Sequence, residues 1–109
     1  HGLGTQTADI DEARAIGAIF GDHVAQPPVT PAKSYFGHFD AGSGAVELAG
    51  SVLALKHRLV PPTLSYETPD PRCRLNVVHG EPYALRTGTA MKVNRTTMGQ
   101  SAAAIIRAM

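Results

Sequence analysis

The sequence holds a single cysteine, Cys73. No internal disulfide framework can form, and a reducing, cytoplasmic compartment is expected. Charge of one sign is also lacking: 10 Lys+Arg against 9 Asp+Glu leave a formal +1. That balance gives no electrostatic footprint for nucleic acid or for an anionic membrane surface. No apolar run approaches the ~20 residues that a membrane span needs. Nothing in the first residues reads as a basic-then-apolar signal peptide, so none is expected here. His23, His57 and His79 have neither metal-ligand spacing nor a Cys partner, so zinc is not expected. The glycines of His1-Gly2-Leu3-Gly4-Thr5 lack the third glycine of a dinucleotide fingerprint. Internal repeats and low-complexity segments are missing as well.

What is there suits one small globular unit. The 109 residues are too few to suggest two domains, and 43% hydrophobic content is too apolar for disorder. The chain opens on His1, inside a Gly-rich turn, so a piece of a larger chain or assembly is expected, with apolar edges left for a partner. Residues 1–8 read as a loop. Asp9 is a candidate N-cap with Glu12 in the capping-box position, and a helix is expected from there to Phe20, closed by Gly21. Val29 to Ser34 is a short strand candidate despite Pro31. A second Gly-rich passage, 36–44, leads into an apolar helix over Gly44–Leu59. Its sparse polar face predicts burial on most sides, and Pro61-Pro62 is expected to stop it.

Residues 61–74 carry Pro61, Pro62, Pro69 and Pro71 and read as a long extended loop, a length more typical of a functional segment. Leu75–His79 reads as a strand. Residues 89–97 and 101–107 read as two strands around Met98-Gly99-Gln100, with the run 102–106 apolar enough to be covered on both faces. Helices alternating with strands indicate a layered α/β unit.

The residues able to carry chemistry are few. His1 and His38 both stand in Gly-rich turns, where the backbone can bring a side chain close to a ligand. Lys33 lies five residues before His38 at the expected end of a strand, where open α/β sheets place their sites. The residues alone leave two possibilities open: packing or surface histidines, or a ligand site. Glu47, in an apolar helix, must be paired or neutral. It is expected to anchor the Gly-rich loop or to support the site, the former preferred. Cys73 has neither a helix start nor an obvious base beside it, which predicts a structural thiol rather than a nucleophile.

Several segments together resemble the β-ketoacyl-acyl carrier protein synthases, the condensing enzymes of the thiolase fold. His1-Gly2-Leu3-Gly4-Thr5 resembles that family's H-G-T-G-T, and Asp9 with Glu12 its following acidic stretch. Lys33-Ser34 with Gly37-His38 resembles K-S-x-x-G-H, and Ala41 to Glu47 resembles G-A-x-G-x-x-E. Pro61-Pro62-Thr63 and Pro69 to Leu75 resemble its long loop. The resemblance implies a partial thiolase-like fold over residues 1–109, helices layered on a mixed sheet, forming the C-terminal half of the family's domain. It implies decarboxylative condensation of an acyl thioester with malonyl-acyl carrier protein in fatty acid or polyketide synthesis. The nucleophilic Cys would lie outside this segment, so the 109 residues alone are expected to be inactive.

By the same resemblance, His1 and His38 are the neutral imidazoles that stabilise charge on the malonyl thioester oxygen. Lys33 supplies positive charge and orients His38, Thr5 binds the pantetheine arm, and Met98 stands at the gate position. No separate cofactor is implied, since substrates ride on phosphopantetheine. The implied partners are acyl carrier protein, the N-terminal half of the same domain, and a second copy of the parent in a homodimer. Three departures stand out: Leu3 replaces a Thr, and Gln100 and Ala102 replace a Gly and an Asn of the gating loop. These favour an alternative, a non-catalytic paralogue or chain-length-factor-like partner subunit. A small binding domain sharing only Gly-rich turns is the third possibility.

Overall fold

The computed structural model describes residues 1–22 and 24–109. His23, and the expectation attached to it, lie outside these residues. The chain forms α1 (Gln6–Phe20), α2 (Lys33–Phe36), a 3-10 turn (Asp40–Gly42), α3 (Ser43–His57), β1 (Leu59–Val60), β2 (Tyr83–Ala84), β3 (Thr89–Arg95) and β4 (Ser101–Arg107). β1 pairs antiparallel with β2, and β3 antiparallel with β4, with Thr89 opposite Arg107 and Arg95 opposite Ser101. A parallel bridge joins Val29 to Val77. The result is a mixed α/β unit in which α3 packs on both β3 and β1.

The long apolar helix and the hairpin stand where the sequence puts them; other elements differ. α1 starts at Gln6 with Thr5 as N-cap, one turn before Asp9. Asp9 and Glu12 still satisfy backbone donors, but those of the loop ahead of the helix: Gly4 N–H donates to Asp9 Oδ1 at 3.2 Å, and Gly2 N–H to Glu12 Oε2 at 2.8 Å. The strand expected over Val29–Ser34 shrinks to the Val29 bridge, because Pro31 breaks it and α2 follows. Lys33 therefore begins a short helix rather than ending a strand. Leu75–His79 likewise reduces to backbone lacing: Val29 N–H donates to Asn76 O, Val78 N–H to Val29 O and Thr63 N–H to Val78 O. α3 ends before Pro61, where Arg58 takes a left-handed conformation (φ 53°).

The core is small. Ala13, Leu55, Val60 and Val78 are its buried apolar members, and Gln26, Lys33, Ser43 and Glu47 are buried polar ones. Two burial expectations fail. On α3, Val46, Val52 and Leu53 are exposed, and on β4 Ile105 is 73% exposed. β4 pairs with β3 alone, and no described element lies across these faces. These faces carry apolar residues that the described residues leave uncovered.

Candidate active site

A cavity of about 490 Å³ opens between the N-terminal loop, α2 and the Pro-rich segment. His1, His38, Lys33, Thr5 and Cys73 all line it. Residues far apart in the chain thus face one hollow.

His1 is brought there by the turn that follows it. Gly2 has φ +56°, and a Cβ on it would stand 2.2 Å from Pro31 Cβ. Only glycine allows the N-terminal loop to lie flat on the segment leading to Lys33. Glu12 fastens the loop by accepting from the backbone nitrogens of His1 and Gly2.

Lys33 Nζ then meets three acceptors: Glu47 Oε1, the His1 carbonyl at 2.8 Å and His1 Nδ1 at 3.2 Å. An ammonium has three donors and no acceptor. His1 Nδ1 must therefore be unprotonated, and the neutral ring carries its hydrogen on Nε2. The lysine touches His1, not His38, contrary to the orienting role expected for it. His38 is contacted instead by Ser43 Oγ, 3.0 Å from Nδ1, and by Asp40 Oδ1, 3.5 Å from Nε2. The two imidazoles stand edge to face, with centroids 6.0 Å apart and planes at 89°.

Glu47 lies beneath, with its side chain 3% exposed. Its second oxygen pairs with Lys92 of β3. Burial pushes the Glu47 carboxyl up, but hydrogen bonds and charge from Lys33 and Lys92 outweigh this and hold it below the usual carboxylate range. Glu47 is thus the anchor of two lysines rather than of the Gly-rich loop. Lys92 also donates to the Val93 carbonyl and, at 2.7 Å, to Asn94 Oδ1. Sequence reasoning missed Lys92. The available signal was strand alternation: Ala90, Lys92 and Asn94 share the face of β3 turned inward.

The remaining expected residues divide. Thr5 lines the cavity and its hydroxyl makes no capping bond to α1. Met98, in the β3–β4 turn, is 86% exposed and does not line the cavity. Cys73 does face it; burial, with Asp70 and Asp9 nearby, pushes its thiol up, which disfavours the nucleophilic thiolate. Among the described residues no group of three or more His, Cys, Asp or Glu could hold a metal ion, and no helix is long and apolar enough to cross a membrane.

The arrangement can therefore offer the Nε2–H of the neutral His1 ring to an oxygen acquiring negative charge, with the His38 ring beside it in the same cavity. The fold is that of part of a thiolase-like domain. The ishigamide ketosynthase/chain length factor matches all of this chain with a TM-score of 0.93 at 28% identity, over 27% of its own length. A type II polyketide synthase ketosynthase in complex with its acyl-carrier protein matches all of it with a TM-score of 0.92 at 31% identity. The model of the beta-ketoacyl synthase C-terminal domain matches residues 1–67.

The chain belongs to the beta-ketoacyl synthase family, in its C-terminal domain. A putative polyketide beta-ketoacyl synthase 1 of Streptomyces halstedii is 44% identical over 81 residues, which is 74% of this chain and 19% of that protein. The 3-oxoacyl-(acyl-carrier-protein) synthase 2 of Synechocystis sp. is 40% identical over 91 residues, 84% of this chain and 22% of that protein. The matches thus span only about a fifth of these curated relatives' length.

Proposed function

We propose that residues 1–109 form the decarboxylation half of a β-ketoacyl synthase site, within a chain or assembly that supplies the nucleophilic Cys from elsewhere. An acyl group is held as a thioester on that Cys. Malonyl thioester, carried on the phosphopantetheine of acyl carrier protein, loses CO2. The electron pair released forms an enolate whose oxygen accepts hydrogen bonds from His1 and His38. The enolate carbon then attacks the acyl carbonyl and the Cys thiolate leaves. Each imidazole must be neutral, with its Nε2–H aimed at that oxygen.

The observation that carries this reading is the pair of perpendicular imidazoles in one cavity, with a lysine-fixed donor tautomer at His1. Lys33 supplies positive charge at that site. Thr5, on the wall with its hydroxyl free of the helix cap, receives the pantetheine arm; Met98 holds the gate position by resemblance alone, from an exposed turn outside the cavity lining. Acyl carrier protein as partner is supported by a structural neighbour that is a ketosynthase bound to one. The parent is proposed to act as a cytoplasmic homodimer without a separate cofactor.

In the full-length protein, His38→Ala should slow malonyl-thioester decarboxylation on the order of 10²–10³-fold while acylation of the nucleophile persists. Unchanged decarboxylation removes His38 from the mechanism. A second reading, a non-catalytic partner subunit, rests on the apolar Leu3 in the cavity wall. A wild-type protein that neither decarboxylates malonyl thioester nor accepts an acyl group would favour it.

A further inference from the structure

Lys33 explains the tautomer of His1, but the lysine does not reach His38. Ser43, the first residue of α3, does. Its side chain is among the most enclosed in the chain, at 2% exposure. Its Oγ stands 2.8 Å from Phe39 N and 3.0 Å from His38 Nδ1.

The chemistry of these three groups has one consistent solution. A backbone N–H can only donate, so Phe39 occupies a lone pair of the Ser43 oxygen. The hydroxyl hydrogen must then go elsewhere, and His38 Nδ1 is the acceptor that the described residues place in range. If Nδ1 carried a hydrogen instead, it too would donate to Oγ. The buried hydroxyl would then be left with no acceptor for its own hydrogen, a cost that native interiors avoid. Asp40 Oδ1, 3.5 Å from Nε2, can accept a hydrogen carried on that nitrogen, but it does so for the neutral and the charged ring alike, so the Ser43 side of the ring decides the assignment. His1, the other charged or titratable ring neighbour, contributes an edge-to-face contact that is indifferent to it.

We propose that Ser43 is a positioning residue that relays the Phe39 N–H to His38 and fixes its imidazole as the neutral, Nε2-protonated donor. The two rings are thereby set by different devices, His1 by a buried ammonium and His38 by a buried hydroxyl. Lys33 and Ser43 sit at the starts of successive helices, so the two donors are oriented independently. This assignment deepens the proposed decarboxylation role and rests on it for its consequence, though not for its geometry.

Neutron diffraction from deuterium-exchanged crystals of the full-length protein tests the geometry. Deuterium is expected on His38 Nε2 and on Ser43 Oγ, the latter directed at Nδ1. Deuterium on Nδ1 overturns the proposal whatever the protein's activity. The consequence is tested by Ser43→Ala, in which kcat for malonyl-thioester decarboxylation should fall about tenfold with KM little changed. That is less than the ~10²–10³ of losing a donor outright, because the ring remains and merely loses its preference. Ser43→Thr, which keeps the hydroxyl, should recover most of the rate. A full-rate Ser43→Ala overturns the proposal. A wild-type protein with no decarboxylation at all would sink the proposed function instead, and the deuterium map would still decide the role of Ser43.

Discussion

Glu47→Gln is the perturbation with the largest expected structural effect. The carboxylate is 3% exposed, and the lysines it pairs with, Lys33 and Lys92, are 5% and 14% exposed. Gln keeps the shape but removes the charge, leaving two ammonium groups buried against one amide that has a single oxygen to offer. Breaking a buried pair by removing one partner costs about 3–5 kcal/mol, since the partner charge is stranded. Here two charges are stranded, so the upper part of that range is expected. At ~1.4 kcal/mol per tenfold, the folding equilibrium should fall by more than about 10². Urea titration of the full-length protein reads this as a lowered midpoint. Adding Lys92→Met removes one stranded charge, so the double variant should be more stable than the sum of the two single losses by about 1–3 kcal/mol. A loss under about 1 kcal/mol for Glu47→Gln, or strict additivity in the cycle, refutes the reasoning.

The remaining expectations follow from the same cluster and from the uncovered faces. Glu47's carboxyl is held below its ordinary 4.5 in the folded protein, so its stabilisation is full above that pH and is lost as pH falls through the lower folded value. The acid-side loss of stability should be smaller in Glu47→Gln than in the wild type; identical acid curves would contradict this. A Cβ at Gly44 would stand 2.3 Å from Asn94 Nδ2, and Asn94 in turn holds Lys92. Gly44→Ala should therefore cost roughly 1–3 kcal/mol by displacing that side chain, and an unchanged unfolding midpoint would show that α3 and β3 yield freely. With Val52, Leu53 and Ile105 exposed, residues 1–109 expressed alone should associate. Light scattering that finds a cooperatively folding monomer at high concentration would contradict that expectation.

The two Gly-rich turns carrying His1 and His38 were legible, because glycine spacing and a K-S-x-x-G-H pattern survive in one dimension. So was the hairpin, since an apolar run facing a polar-alternating run across a Gly turn has few other solutions. The strand expected at Val29 was lost to Pro31, whose missing N–H outweighed the β-branched residues beside it. β1 and β2 went unseen because two-residue strands carry no period. The burial expected for α3 and β4 rested on apolar composition alone, and in the structure Val46, Val52, Leu53 and Ile105 are exposed because no described element packs over them. Lys92 and Ser43 were missed for a common reason: each acts through a neighbour distant in sequence or hidden in a turn, so neither has a local pattern.

A crystal structure of the full-length protein with a non-decarboxylating malonyl-thioester analogue would test the central claim most directly. The account predicts that the thioester oxygen lies about 2.7–3.1 Å from both His1 Nε2 and His38 Nε2. An oxygen that meets neither ring, or only bulk water, would contradict it.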